Sequence, residues 1–174
     1  KTTNGTAYSS VTLSGLNVTS VASVAYGNLK ISGVSQSGWV ICGTGGAIYS
    51  TDGVSWSNGT ASTSANFNNV PTCVIFSPNG GGIPSNYSTT PVWLIGTTTG
   101  YVHWSFDGLT WAASGGTTTT PGGAQARISA ILCIASGDLP VADNSIKSGG
   151  LFVGGTLPSL SAYSGGNRSL AFMY

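Results

Sequence analysis

A segment that occurs twice is the feature that most constrains the fold of this chain. Residues 49–56 read YSTDGVSW, and residues 104–111, which begin 55 positions later, read WSFDGLTW. Each copy follows an apolar run that ends in Gly-Thr, at residues 39–44 and 92–97. Because the repeated stretch includes a strand-like run as well as a turn, it indicates a repeated β-unit rather than a chance match.

A third, weaker copy lies further along the chain. The run at residues 151–156 precedes residues 163–170, where Gly166, Asn167 and Leu170 replace the Asp, Gly and Trp of the other copies. Degenerate terminal copies are typical of stacked repeats, since a terminal unit has a neighbour on one side only. The sequence therefore predicts three units.

The composition of the segments predicts an all-β chain. Each strong segment is short, rich in Val, Ile, Tyr, Trp and Thr, and bounded by Gly, Pro, Asn or Asp, and none has helical spacing over three turns. Each unit is expected to contain four antiparallel strands, as a propeller blade does. The expected first strands are 21–26, 70–76 and 128–135, the second 39–42, 92–95 and 151–153, the third 47–50, 101–105 and 160–164, and the fourth carry Trp56, Trp111 and Leu170.

The predicted fold is therefore about three propeller-blade-like units, with a two-sheet β-sandwich as the alternative. Three units are too few to close a propeller, for which about four to eight blades are usual. Two low-complexity stretches, at residues 79–90 and 112–123, are expected to be surface loops. The predicted organisation is an extended N-terminal segment, residues 1–19, and one β domain, residues 20–174, with repeats at 20–69, 70–126 and 127–174.

The run Ser-x-Asp-Gly-x-Ser/Thr-Trp in both good copies resembles the Asp-box (BNR-type) hairpin of sialidases and of many secreted and viral β-propeller proteins. It has the shorter form, with one residue fewer between Asp and Gly, and the resemblance covers roughly residues 20–170. Asp-Gly is in itself a strong hairpin-turn signal, and a Trp offers a large apolar plate for burial. The predicted structural motif is Ser50, Asp52, Gly53 and Trp56 in one copy and Ser105, Asp107, Gly108 and Trp111 in the other.

The chain has very little charge. Only 5% of its residues are charged, the formal net charge is +1, and there is no Glu. Its five basic residues are scattered and form no stripe that could follow a phosphate backbone, so nucleic acid is not an expected partner. A surface of hydroxyls and amides repels other copies weakly, so the expected partners are copies of the chain itself, with glycans as further candidates. No apolar run approaches the length of a membrane span.

The acidic residues do not favour catalysis. Sialidase chemistry, as the resemblance implies it, needs an arginine cluster and a Tyr/Glu pair, whereas this chain has two Arg and no Glu. A carboxylate pair for glycoside cleavage would have to come from the four Asp residues, and the predicted turns already use Asp52 and Asp107. His103 lies on an alternating strand without a nucleophile motif and is expected to be structural. We therefore expect no enzyme activity and no catalytic, cofactor or metal site.

Three cysteines, Cys42, Cys73 and Cys133, lie inside apolar runs. Buried free thiols are the expected state, with a Cys73–Cys133 bridge between neighbouring units as the alternative. Five Asn-x-Ser/Thr sequences are candidate glycosylation sites if a glycosylating cell secretes the chain: Asn4, Asn17, Asn58, Asn86 and Asn167.

The N-terminal segment has alternating apolar residues but no neighbouring strand to pair with. Its Val11, Leu13 and Leu16 are therefore expected to form an assembly strand that is donated to another subunit. The predicted function is a non-enzymatic extracellular structural subunit that self-assembles through β-edges into a filament, fibre or virion appendage. The alternatives are a carbohydrate-binding lectin or viral receptor-binding module and a fragment of a longer propeller enzyme. Residue 1 is Lys, which fits a processed or excised chain.

Overall fold

The chain folds into β-sheets joined by turns. The structure, a computed structural model, describes residues 10–61, 67, 70–78, 81–83, 86–88, 90–99, 101–117, 127–140, 146–156 and 168–173. These residues contain no helix, so none that could cross a membrane, and the prediction of an all-β fold is confirmed for them. The strands are β1 (Ser20–Ile31), β2 (Val34–Thr44), β3 (Gly46–Ser50), β4 (Ser57–Asn58), β5 (Thr60–Ala61), β6 (Pro71–Ser77), β7 (Gly81–Ile83), β8 (Asn86–Ser88), β9 (Val92–Thr97), β10 (Tyr101–Ser105), β11 (Thr110–Thr117), β12 (Arg127–Pro140), β13 (Ile146–Thr156) and β14 (Arg168–Met173).

The first sheet is an antiparallel meander in the order β1-β2-β3-β4. The β1–β2 hairpin turns at Ser32 and Gly33, both with positive φ, as a tight two-residue hairpin requires. In its register, Tyr26 pairs with Trp39, and Trp39 pairs with Ser50 on the next strand. Side chains that are paired in this way lie on the same side of the sheet.

The second sheet repeats this arrangement and adds one strand. Its order is β5-β11-β10-β9-β6, in which β6, β9, β10 and β11 form an antiparallel meander and β5 pairs in parallel with β11. Phe76 pairs with Trp93, and Trp93 pairs with Ser105. Both sheets therefore have the same cross-strand row: an aromatic residue on the first strand, Trp on the second and Ser on the third.

The third sheet, β12-β13-β14, differs from the sequence prediction. The strand that carries Leu170, β14, pairs directly with β13. The sequence predicts that a strand at residues 160–164 takes this place beside β13. Residues 160–164 lie outside the described part of the chain. The expectation that Leu170 lies on a fourth strand is therefore wrong for the sheet as described. Backbone pairing is decided between whole strands, so one degenerate motif is a weak guide to strand position.

The two low-complexity stretches contain more regular structure than expected. Within residues 79–90, β7 and β8 form a two-stranded hairpin, and β11 continues through residue 117 into the second stretch. Ladder hydrogen bonds depend on the backbone alone, so Gly- and Thr-rich segments can supply strands where a partner is adjacent.

The hydrophobic core lies between the first two sheets. One face of the first sheet packs on one face of the second, and the two faces supply the buried cluster Leu29, Val40, Cys42, Ala47, Val74, Trp93, Ile95 and Trp111. The first strands follow one another in space, because β6 lies against β1 and also against β12. The sheets thus succeed each other in chain order.

In the single chain, the described part of the N-terminal segment forms a turn, and the predicted donated strand, which needs a second copy, stays a prediction. Residues 10–19 contain no strand, and Leu16 N–H donates to Leu13 O at 3.1 Å, which closes a turn with Gly15 at a positive φ of 79°. Thr19 N–H then donates to Thr44 O at 2.9 Å. Gly15 permits the left-handed conformation, and so the chain folds back onto its own first sheet. Residues 1–9 lie outside the described part.

Candidate functional site

The repeated motif forms two turns, the first turn at residues 50–55 and the second turn at residues 105–110. In the first turn, Asp52 Oδ1 accepts hydrogen bonds from the backbone N–H groups two and three residues ahead, both at 2.7 Å. Ser50 Oγ accepts from Gly53 N–H at 2.8 Å and donates to Asp52 Oδ1 at 3.0 Å. The side chains thereby satisfy the backbone donors of the turn.

The second turn has the same hydrogen bonds. Asp107 Oδ1 accepts from the N–H groups of Leu109 and Thr110 at 2.7 Å each. Ser105 Oγ accepts from Gly108 N–H at 2.8 Å and donates to Asp107 Oδ1 at 2.7 Å. Each hydrogen bond of the first turn has a counterpart in the second. The Ser and Asp side chains of the motif therefore stabilise the turns in which they lie.

These bonds keep both carboxylates charged. Backbone N–H groups of the first turn lower the pKa of Asp52 far below its usual value, because they bind the charged form. Burial raises the pKa of Asp107, but hydrogen bonds from Thr110, Ser105 and Leu109 together lower it more. A general acid needs a raised pKa, so neither aspartate is suited to that role.

The second turn is also bound to the first strand of the first sheet. Lys30 N–H donates to Asp107 O at 2.9 Å, and the indole N–H of Trp93 donates to Asn28 O at 2.7 Å. Gly108 has φ of 76°, and a Cβ placed on it would lie 2.5 Å from Leu29 Cδ2. Position 108 therefore requires glycine for two reasons: the left-handed backbone conformation and the close approach of the turn to β1.

The first unit has equivalent side chains on a face that is exposed along β1. The register matches Tyr26 and Trp39 to Phe76 and Trp93, and the ring centroids are 4.9 Å apart in the first pair and 4.8 Å in the second. Trp93 is fully buried against the first sheet, whereas Tyr26 is 57% exposed. We call Val24, Tyr26, Trp39 and Ile41 on this side the outer face. Its β1 part, Val24 and Tyr26, is exposed, Trp39 and Ile41 are half-buried, and Ile48, which pairs with Ile41 on the same side, is fully buried.

Sequence reasoning missed this equivalence. Aligning the two Gly-Thr runs matches Trp39 to Val92, whereas the register matches it to Trp93. The cause is that Trp93 lies 12 positions before Ser105, whereas Trp39 lies 11 positions before Ser50. Counting backwards from the motif serines, Ser50 and Ser105, and allowing for one inserted residue, would have found it.

The motif tryptophans differ in burial. Trp111 is fully buried in the core, but Trp56 is only half-buried, so the expectation of equivalent buried sites is wrong for Trp56. The chain stays with the first sheet through Gly59, whose N–H donates to Ala47 O, and then passes to the second turn, where Thr60 N–H donates to Leu109 O. Trp111 packs in the core between the two sheets, whereas Trp56 lies outside that core.

His103 is buried in the second sheet with an exposure of 1%. Neither of its ring nitrogens has a hydrogen-bond partner among the described residues. Its ring lies 5.2 Å from the ring of Phe67, which also packs near Trp111 at 6.4 Å. Burial lowers the pKa of His103 from 6.5 to about 4, so the ring is neutral at pH 7. It is a packed side chain, as the sequence predicts.

An open cleft of about 450 Å³ lies where the second turn meets β1. Trp104 and Phe106 line it, with ring centroids 5.0 Å apart and an edge-to-face arrangement, and Phe106 is 42% exposed. Hydroxyl and amide side chains lie around these rings at Asn28, Ser35, Thr90 and Thr110. Lys30 and Asp107 also line the cleft. Aromatic rings bordered by polar groups can bind a ligand that is apolar on one face and polar at its edge.

Two cysteines are buried free thiols, Cys42 and Cys73. Burial, and then the nearby Cys73, raise the pKa of Cys42 to about 12, and burial also raises the pKa of Cys73. Because the thiolate is the reactive form, both are inert at neutral pH. The free-thiol prediction is confirmed for these two residues, and the side chain of Cys133 lies outside the described part.

Two candidate glycosylation sites lie on the described surface. Asn17 and Asn58 are exposed, and Asn17 N–H donates to Asn58 Oδ1 at 2.7 Å. Asn4, Asn167 and the side chain of Asn86 lie outside the described part. Among the side chains that the structure describes, no three of His, Cys, Asp or Glu lie together as metal ligands would.

No protein-family model, curated protein or solved structure matches this chain. Three features of the described residues bear on function: turns that recur bond for bond, a face that is buried in the second unit and partly exposed in the first, and an aromatic cleft between the units.

Proposed function

We propose that this chain is a non-enzymatic structural subunit that self-assembles outside the cell, as part of a filament, fibre or virion appendage. The observation that carries the proposal is the outer face. Val24 is 57% exposed there, whereas its register equivalent Val74 is 4% exposed. Contiguous exposed apolar surface marks an interaction site, and here the second unit shows that this pattern of side chains is suited to burial.

We infer that the units are propeller-blade-like repeats of the Asp-box type. Support comes from the shared order of four antiparallel strands and from the identical hydrogen bonds of Asp52 and Asp107 in their turns. Each unit offers one face to the unit before it and one to the unit after it. Repeats of this kind bury a continuous core only where neighbours stack, which favours assembly of further units.

Low charge supports close packing of copies. The chain has five basic and four acidic residues, so long-range repulsion between copies is weak. The exposure of Asn17 and Asn58 is compatible with a secreted, glycosylated surface. Both features fit the proposed extracellular setting.

Contact between copies through the outer face is favoured over strand pairing at the edge of β1. Lys30 N–H and Asn28 O on that edge already bind the second turn and Trp93. A donated strand from residues 1–19 would first have to open the turn between Leu13 and Leu16. The outer face needs neither rearrangement, so it is the more direct route to assembly.

Sedimentation velocity over a concentration series, with negative-stain electron microscopy of the same samples, tests the proposed function. We expect species larger than the 17.4 kDa chain whose share grows with concentration. Added salt should change this little, because few charges are present to be screened. A chain that stays monomeric up to about 0.1 mM, the equivalent of an association weaker than about 5.5 kcal/mol, would contradict the proposal.

Saccharide binding is a second candidate function, and the cleft beside Trp104 and Phe106 favours it. A sugar ring would stack on the exposed Phe106 while its hydroxyls bind the neutral polar groups nearby. A glycan array followed by titration of any hit tests this, with Phe106→Ala as the binding variant and Val54→Ala as an exposed control. Binding that Phe106→Ala abolishes would support the candidate. The absence of any hit, or equal binding by both variants, would overturn it.

A further inference from the structure

The contact between the first two units shows what the second unit's equivalent of the outer face binds. In the second unit, the indole N–H of Trp93 and the carbonyl of Asp107 reach the backbone of β1, one as donor and one as acceptor. Gly108 lies over Leu29 of the same strand. The second unit thus binds the backbone of the first strand at two groups, the carbonyl of Asn28 and the N–H of Lys30, which lie two residues apart.

The first unit has the equivalent groups. Trp39 stands where the second unit has Trp93, and Asp52 and Gly53 stand where it has Asp107 and Gly108. Gly53 has the same left-handed conformation, with φ of 68°. Val54 is 49% exposed, whereas its equivalent Leu109 packs against the core. The recognition groups are therefore present twice, and in the first unit Val24, Tyr26 and Val54 beside them are exposed.

We propose that the outer face, together with the first turn, binds a first strand of a second copy of this chain. The indole N–H of Trp39 donates to a carbonyl of that strand, and Asp52 O accepts from its N–H two residues further along. Val24 and Tyr26 are buried against the same sheet of the second copy. This inference rests on the proposed self-assembly and specifies the surface through which it occurs.

The chain order of the sheets identifies the strand that is bound. The first strand β1 already binds the second unit, and the next first strand, β6, has β12 on its other side. The strand that continues this series is β12, so the outer face of one copy binds the third sheet of the next. Such a contact joins two different surfaces and gives either a closed ring or an open polymer. Two copies would bring six sheets together, within the range of about four to eight blades in closed propellers.

Matched lysine substitutions test the proposal. Val24→Lys places a charge in the centre of the outer face, and Val34→Lys places the same charge at the β1–β2 turn, where Val34 is 64% exposed and lies off that face. Sedimentation velocity should show at least about tenfold weaker assembly for Val24→Lys, because the interface would bury an unpaired charge. Val34→Lys should assemble like the unaltered chain. Circular dichroism checks that both variants fold.

A second variant tests the hydrogen bond itself. Trp39→Phe keeps an aromatic ring but removes the N–H donor together with part of the ring surface, and it should weaken assembly by at least about 2- to 12-fold, the loss expected for one hydrogen bond. If the unaltered chain assembles and Val24→Lys assembles equally well, the proposed surface is wrong while self-assembly stands. If the unaltered chain does not assemble at all, the proposed function fails first.

Discussion

The indole N–H of Trp93 donates to the carbonyl oxygen of Asn28 at 2.7 Å and thereby joins the second sheet to the edge strand of the first. This bond crosses 65 positions of sequence, and it lies beside the turn hydrogen bond from Lys30 N–H to Asp107 O. Trp39 occupies the equivalent position in the first unit and is half-buried there, so the two tryptophans can be compared directly.

Removing the indole should matter more at Trp93 than at Trp39 in the isolated chain. Trp93→Phe leaves the Asn28 carbonyl without its donor and removes part of a fully buried ring, so we expect a loss of at least about 1–3 kcal/mol in the free energy of unfolding. Trp39 is only half-buried, so Trp39→Phe should cost less than Trp93→Phe. Urea denaturation at low protein concentration measures both. Equal losses would show that the Trp93 bond does not hold the sheets together.

The two turn glycines should respond differently to the same substitution. Gly53→Ala carries the left-handed backbone penalty of about 1–2 kcal/mol, with no atom closer to the new Cβ than 3.8 Å. Gly108→Ala adds a Cβ that would lie 2.5 Å from Leu29 Cδ2 and 3.0 Å from Trp93 Nε1. We therefore expect a larger loss of stability for Gly108→Ala in thermal or urea unfolding. A loss no larger than that of Gly53→Ala would contradict the docking of the second turn on β1.

The turn carboxylates should also differ in their contribution. Asp107→Ala removes an acceptor for two backbone N–H groups in a partly buried turn, and we expect it to cost about 2 kcal/mol. Asp52→Ala removes the same acceptor from an exposed turn, where water can replace it, and should cost less. Denaturant unfolding of both variants at pH 7 gives the comparison. If Asp52→Ala lowers the free energy of unfolding more than Asp107→Ala does, this description of the turns is wrong.

His103 should make the protein sensitive to mild acid. Its pKa is lowered from 6.5 to about 4 by burial, so between these values the unfolded chain binds a proton that the folded chain does not. The free energy of unfolding should be level above about pH 6.5 and fall as the pH drops towards 4, by at most about 3 kcal/mol. The nearby Phe67 and Trp111 rings do not titrate in this range.

A matched variant isolates this effect. In the register, Ile48 holds the position in the first unit that His103 holds in the second, so His103→Ile is a substitution that this fold already accepts. The variant should be at least as stable at pH 7, because a buried group without a hydrogen-bond partner is replaced by an apolar one. It should also lose the decline between pH 6.5 and 4. A decline that persists in His103→Ile would assign the acid sensitivity to another group.

Local sequence signals predicted the parts of the fold that depend on neighbouring residues. The Asp-Gly motifs placed both turns, and short β-branched segments placed the strands around them, because turn bonds and strand pairing within a meander are local. The turn at Leu13–Leu16 was missed because apolar alternation outweighed the single glycine, Gly15. The alternation of Val11 and Leu13 describes a strand that the chain does not form here.

The exposed face could not be predicted, because it depends on which side of each sheet meets the next. Alternation along β1 shows two sides and does not say which one is covered. The register between Trp39 and Ser50 was needed to match it to Trp93 and Ser105. With this register, Val24 is matched to Val74, and the same position proves to be exposed in the first unit and buried in the second.

An electron cryomicroscopy structure of the assembled protein tests the central claim most directly, since it would show what covers the outer face. We predict that Val24 and Tyr26 are buried against the third sheet of a neighbouring copy. The indole N–H of Trp39 should lie within about 3.2 Å of a backbone carbonyl oxygen of that copy, a normal hydrogen-bond distance. An assembly in which these side chains face solvent while the copies meet elsewhere would contradict the account.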